Sequence, residues 1–145
     1  MVKIEQSVVI DRPIEEVFAF VTDIEKFSQW SAELVEARKT SEGPVGVGTT
    51  FSGVVQLLGR RMHNTHEVTE YEPNRKLSFR TITSPVPMEA EVRFESIDNH
   101  TTVTTVAEVQ PGGFFRLAAP IFRRMVNRQY ETNLANLKDL LEAQG

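Results

Sequence analysis

Apolar residues recur along this chain with two different periods. From Pro120 to Glu142 they follow a helix. At about 100° per residue, Phe115, Ala119, Phe122, Val126, Tyr130, Asn133, Leu137 and Leu140 share one side. Arg124, Arg128, Glu131, Ala135, Lys138 and Glu142 share the other. One apolar stripe with a charged back predicts a helix lying against a large apolar surface. Pro120 suits the first turn, where its missing N–H is not needed. At about 1.5 Å per residue the rod is roughly 35 Å long, close to the width of a small domain. Two polar side chains interrupt the stripe, Asn133 near its centre and Gln129 at its edge. Either they bond to neighbouring groups, or the stripe faces a cavity there and the amide reaches a ligand.

Upstream, Val2 to Ile10 is rich in β-branched residues and predicts a strand. Asp11-Arg12-Pro13 stops it, and Pro13 opens a helix with Glu15 and Glu16 near its positive end. Ile14, Val17, Phe18 and Val21 form that helix's apolar face. Thr22-Asp23 breaks it, and Ile24 to Trp30 predicts a second short helix. Both are too short to stand alone and must pack on a sheet. From Glu33 onward the period is two. Strands are predicted over Glu33–Thr40, Thr49–Leu58, Met62–Tyr71, Lys76–Thr83, Met88–Ile97 and Thr101–Val109. Turns rich in Gly, Pro, Asn or Asp separate them, from Gly43-Pro44-Val45-Gly46-Val47-Gly48 to Asp98-Asn99-His100. Met88, Ala90, Val92 and Phe94 alternate with Glu89, Glu91, Arg93 and Glu95, one face dry and one wet as in an antiparallel sheet. Val103, Thr105, Ala107 and Val109 are the expected inner side of the last strand, and Pro111-Gly112-Gly113 frees the chain to enter the long helix. The order β, α, α, six strands, α predicts an α+β fold, a seven-stranded antiparallel sheet wrapped around the C-terminal helix. Such a sheet curves and leaves room for a void, and ligand pockets usually measure about 300–1,000 Å³.

Composition narrows the function classes. With 145 residues the chain is expected to form a single domain, 1–145, able to bury a core without staples. The absence of cysteine excludes disulfides, thiol catalysis and thiolate metal sites. Net charge is −4 with both signs dispersed, which argues against nucleic acid as a partner. The basic residues Arg116, Arg123, Arg124 and Arg128 read as a solvated helix face. No apolar run approaches the roughly 18 residues of a transmembrane segment. Glu5 falls where a signal peptide would turn apolar, so a cytoplasmic location is expected.

Several stretches in order carry a resemblance. They are Val9-Ile10-Asp11-Arg12-Pro13-Ile14-Glu15-Glu16-Val17-Phe18 at a strand-to-helix corner and Thr22-Asp23 before Gln29-Trp30. Val45-Gly46-Val47-Gly48-Thr49-Thr50-Phe51 follows, then Val68-Thr69-Glu70-Tyr71-Glu72-Pro73, and Asn133-Leu134-Ala135-Asn136-Leu137-Lys138 in the last helix. In this order they resemble the START-like, or SRPBCC, helix-grip superfamily of Bet v-type and polyketide cyclase/dehydrase-like proteins, over nearly the whole chain. The resemblance implies the helix-grip fold. It does not select a chemistry, because such folds serve lipid and hormone carriers as well as aromatic-polyketide cyclases.

Titratable residues offer few candidates for chemistry. His63 and His66 are three apart on a predicted strand and so point to opposite faces, which removes a chelating pair. No metal is expected, nor any cofactor. His100 falls in a turn. If Val68 faces inward, so do Met62, Asn64 and His66, and an imidazole in a cavity could act as general acid or base. If Tyr71 faces inward, the register reverses. Glu89 and Glu91 share a face, but Arg93 and Glu95 continue it as a solvated one. The glycine stretch leads into a strand and is no nucleotide fingerprint. The leading expectation is a binder of a small hydrophobic or aromatic molecule, lipid- or polyketide-like. Its expected wall is Phe51, Val55, Met62, Phe79, Met88, Val92, Phe94, Phe122, Val126 and Tyr130, with Asn64, His66 and Asn133 orienting the ligand. Phe114 and Phe115 are candidates for a gate. One alternative is a cofactor-independent cyclase or dehydratase with His66 as catalytic acid/base. The other is a protein- or lipid-interaction module with a filled core. The sequence does not set an oligomeric state.

Overall fold

A computed structural model describes residues 2–57, 59–110 and 119–143, residue 57 by its backbone alone. The expected hinge Pro111-Gly112-Gly113, the candidate gate Phe114 and Phe115, and Arg116 lie outside the described residues. Strand β1 (Val2–Ile10) leads into helix α1 (Ile14–Val21). A 3₁₀ turn over Ile24–Lys26 runs into the four-residue helix α2 (Phe27–Trp30), in place of the one short helix expected there. Six strands follow: β2 (Leu34–Lys39), β3 (Thr50–Leu57), β4 (Arg60–Glu72), β5 (Lys76–Thr83), β6 (Met88–Ile97) and β7 (His100–Val109). Helix α3 (Ala119–Ala143) is the last described element. The sheet has the order β1-β7-β6-β5-β4-β3-β2, and every neighbouring pair is antiparallel. This is the α+β helix-grip architecture.

Local chemistry explains the joints. Pro13 caps α1 with extended backbone (φ −60°, ψ 147°), where a missing N–H does no harm. Thr22 closes the helix by donating its hydroxyl to the Phe18 carbonyl at 2.7 Å. Asp98 and Asn99 both take positive φ, 48° and 67°, as the two-residue turn of a tight hairpin requires. His100 is thereby the first residue of β7 rather than part of the turn. Gly48 at φ 91° ends the glycine stretch before β3, a conformation that a side chain would strain.

The two possible registers of β4 turn out to coexist. Val68 pairs with Phe79 and Glu70 with Ser78, so Thr69 is an extra residue, a β-bulge. The bulge resets the alternation, and Met62, Asn64, His66 and Val68 are buried while Tyr71, three residues on, also turns to the core. Tyr71 packs edge-on against Phe18 at 5.5 Å between ring centroids.

Because β1 and β2 are opposite edges of the sheet, the chain between them must cross its concave side. α1 and α2 do this, and α3 lies along the same side. Three apolar clusters result. One joins α1, β6, β7 and the C-terminal half of α3 through Val17, Phe18, Phe94, Val103, Leu134 and Leu137. A second joins the N-terminal half of α3 to the sheet through Ile4, Met62, Ala90, Ala107, Phe122 and Val126. A third places Ile24 and Phe27 on Phe51, Val68 and Leu77. Lys138 donates to the Val9 carbonyl at 2.8 Å, and Arg12 Nε donates to the Leu141 carbonyl at 3.1 Å. These two bonds tie the end of α3 to the β1–α1 corner.

Candidate functional site

The clusters do not fill the interior. A cavity of about 150 Å³ opens between the sheet, α2 and α3. A second lobe of about 90 Å³ lies toward the N-terminal half of α3. Glu33, Val55, Asn64, Met88 and Tyr130 line both. One water needs about 10–15 Å³ on this measure, so the larger lobe has room for on the order of ten.

Register decides which side chains look inward. Phe51 pairs with His66, and His66 with Thr81, which sets the imidazole at the centre of the wall. Its ring lies 5.1 Å from that of Phe51 and 5.6 Å from that of Phe79. Nδ1 shares a hydrogen bond with Thr81 Oγ1 at 3.2 Å. Burial disfavours the imidazolium and lowers the His66 pKa to about 4, so the ring is neutral at physiological pH. Asn64, opposite Gly53, accepts the Ser84 hydroxyl at 2.6 Å through Oδ1.

The expected wall residues divide three ways. Phe51, Val55, Phe79, Met88, Val92 and Tyr130 line the larger lobe together with Asn64, His66 and Asn133. Met62, Phe122 and Val126 line the second lobe. Phe94 lines neither. It lies under α1, 5.0 Å edge-on from Phe18, and serves the core. His63 is exposed on the outer face, and Glu91 bonds Arg93 and Lys76 there.

Both readings of the break in the helical stripe hold in part. Asn133 lines the cavity, yet its amide is fully engaged by protein. Oδ1 accepts the Ala32 N–H at 3.0 Å and Gln129 Nε2 at 3.1 Å. Nδ2 donates to both carboxylate oxygens of Glu33, at 3.1 and 3.0 Å. The amide therefore meets the cavity through Glu33. That residue, expected to start β2, sits instead in the turn before it, where the Leu34 N–H donates to the Ser31 carbonyl at 3.0 Å. A lone Glu at the head of a strand carries no sign that a helix a hundred residues later will hold it.

Glu33 sets the electrostatics of the site. Burial raises its pKa, while the bond from Asn133 and its own backbone N–H pull the other way. Tyr130 has its pKa pushed up, first by burial and then by the nearby Glu33 charge, so its hydroxyl keeps its proton. Part of the surface of each stays accessible, and both line the cavity. Trp30 lines it too, and its indole N–H has no acceptor among the described residues. Among those residues no group of three or more His, Cys, Asp or Glu could hold a metal, and no helix is long and apolar enough to cross a membrane.

No curated protein sequence matches the chain. Solved structures do. A protein from Thermus thermophilus superimposes with a TM-score of 0.86 at 16% identity, covering 99% of each chain. The Zhui aromatase/cyclase from a Streptomyces species gives 0.77 at 18% identity, covering 97% of this chain and 93% of that one. A START superfamily protein from Mycobacterium smegmatis gives 0.73 at 16% identity, with 99% and 97% covered. At such identities the likeness establishes the fold. The family model for polyketide cyclase/dehydrase and lipid transport proteins matches residues 1–142, and the chain belongs to that family.

Proposed function

We propose that residues 1–145 act as one domain that binds a small apolar or aromatic molecule in the cavity between the sheet and α3. The observation that carries this is the cavity itself, walled by Phe51, Phe79, Val92 and Leu77 and edged by a few polar groups. Apolar walls supply affinity at roughly 25 cal/mol per Å² buried, before the costs of ordering are subtracted. The polar groups orient the guest. The same volume counts against an interaction module with a filled core. Native mass spectrometry of the protein purified from its own host tests the reading. A bound small molecule, lost on denaturation, is expected. Protein that carries no guest and gives no thermal shift with any apolar or aromatic compound would remove it.

One feature supports a second reading, a cyclase or dehydratase acting on a polyketide-like substrate. Among the described residues the His66 Nε2 has no hydrogen-bond partner, and the ring faces the cavity. A neutral imidazole can take a proton from an enolisable carbonyl compound, although a pKa near 4 makes it a weak base. On this reading His66→Ala abolishes turnover and leaves binding largely intact. Unchanged turnover excludes the role.

A further inference from the structure

Glu33 is the one Asp, Glu, Lys or Arg among the described residues that line either lobe. It stands where the lobes meet. No lysine or arginine among the described residues lines the cavity to balance it. Asn133 holds the carboxylate by both oxygens, and the Ala32 N–H and Gln129 fix the Asn133 amide in turn. The carboxylate is thus oriented by a chain of hydrogen bonds running from the α2–β2 turn to α3. Each carboxylate oxygen has two acceptor sites, and the two hydrogens of the Asn133 amide with Glu33's own backbone N–H cannot satisfy all four. In its ionised form, which the Asn133 Nδ2 facing both oxygens favours, a buried carboxylate with acceptor capacity to spare attracts a donor hydrogen and repels an anion.

From this geometry, and on the ligand-binding reading above, we propose that Glu33 is the polar anchor of the cavity. It selects an aromatic or alicyclic guest that presents a hydroxyl or ammonium hydrogen, and it refuses carboxylates and phosphates. The site then discriminates by leaving an ill-matched guest with an unpaired or repelled polar group, a stronger filter than the apolar walls can apply. Fatty acids and the phosphate heads of phospholipids fall outside the proposed ligand class. Tyr130 does not compete for the role. Its hydroxyl keeps its proton, carries no charge, and tolerates either kind of guest.

Three probes of one ring size separate the possibilities: 2-naphthol, 2-naphthylmethylamine and 2-naphthoate, titrated into the full chain just above neutral pH. Binding is read from the fluorescence of Trp30, the only tryptophan, and from calorimetry. The naphthol, the amine or both should bind at least about tenfold more tightly than the naphthoate. Which of the two wins tells whether a hydroxyl or an ammonium is the preferred donor. In Glu33→Gln the preference should shrink to within about threefold, chiefly by a gain in naphthoate affinity. Glu33→Leu serves as a second variant. It removes the carboxylate and its acceptors together, leaving the Asn133 Nδ2 hydrogens to the cavity, and a thermal melt of each variant confirms that it is folded before titration. Equal or tighter binding of naphthoate by the unaltered protein overturns the proposal. So does a preference that survives both substitutions. Failure of all three probes to bind overturns the anchor as stated, whereas the ligand-binding reading stands or falls separately by the native mass spectrum and the thermal shifts.

Discussion

His66 shows how one residue's surroundings set its chemistry. Its folded pKa of about 4 lies below the ordinary 6.5, and burial is the cause. Between those two values the unfolded chain binds the proton and the folded one does not. Stability is therefore highest above pH 6.5 and falls as the pH drops from there toward about 4. The full loss is about 3 kcal/mol by linkage. Glu33 acts in the opposite direction, since its raised pKa means that the folded protein takes up the proton first. Comparing the protein with His66→Gln isolates the histidine, because Glu33 is common to both. Urea midpoints should diverge on acidification, the unaltered protein losing more. Parallel curves would mean that water reaches the imidazole. His66 was legible as a candidate because Met62, Asn64, His66 and Val68 share a face of one strand. Glu33 was not, because its meaning comes from Asn133, a hundred residues away, and no local period records that contact.

At the scale of elements, hydrophobic period did most of the specifying. β1, β5 and β6 occupy the spans predicted from the sequence, β1 by its β-branched residues and β6 by its alternation, and α3 exceeds its predicted span by one residue at each end. The stripe Phe122, Val126, Asn133 and Leu137 is buried, whereas Arg124, Arg128 and Glu131 are exposed. Leu137→Ala should accordingly cost about 2–5 kcal/mol, since Leu137 is fully buried between α1 and the sheet. Arg124→Ala, on the opposite face, should stay within about 0.5 kcal/mol. Chemical denaturation checks the pair, and similar costs for both would mean that α3 does not grip the sheet by this stripe. What alternation could not deliver was the phase of β4. A single extra residue, Thr69, inverts which side chains point inward, and a bulge arises from pairing with β5 rather than from the composition of β4 alone. The short second helix also departed from expectation. Ile24, Phe27 and Trp30 keep a helical spacing of three, which a 3₁₀ turn followed by one α turn satisfies equally well.

For the whole molecule the open question is why a chain able to pack solidly keeps an interior void. α1 and α2 cross the sheet from its β1 edge to its β2 edge, α3 runs along the same side as one helix over Ala119–Ala143, and a gap is left between them and the sheet. Side chains could have filled that gap, as empty volume costs stability at about 24 cal/mol per Å³. Instead the lining includes small residues, Ala37, Gly53 and Ala90. Gly53 is crowded from behind, since a Cβ there would meet the Glu36 carbonyl oxygen and Leu34 at 3.1 Å each, whereas Ala37 lines the cavity from the edge strand and is half-buried. Ala37→Phe would push a ring from the edge strand β2 into the larger lobe. If the void is merely a by-product of curvature, filling it should stabilise the protein and change nothing else. If it is a binding site, stability should hold within about 1 kcal/mol while affinity for 2-naphthol falls by more than about tenfold. Urea denaturation and a Trp30 fluorescence titration on the same preparation separate these outcomes. Undiminished affinity would place the guest elsewhere, and a loss of several kcal/mol would mean that the wall beside Ala37 has no room to give.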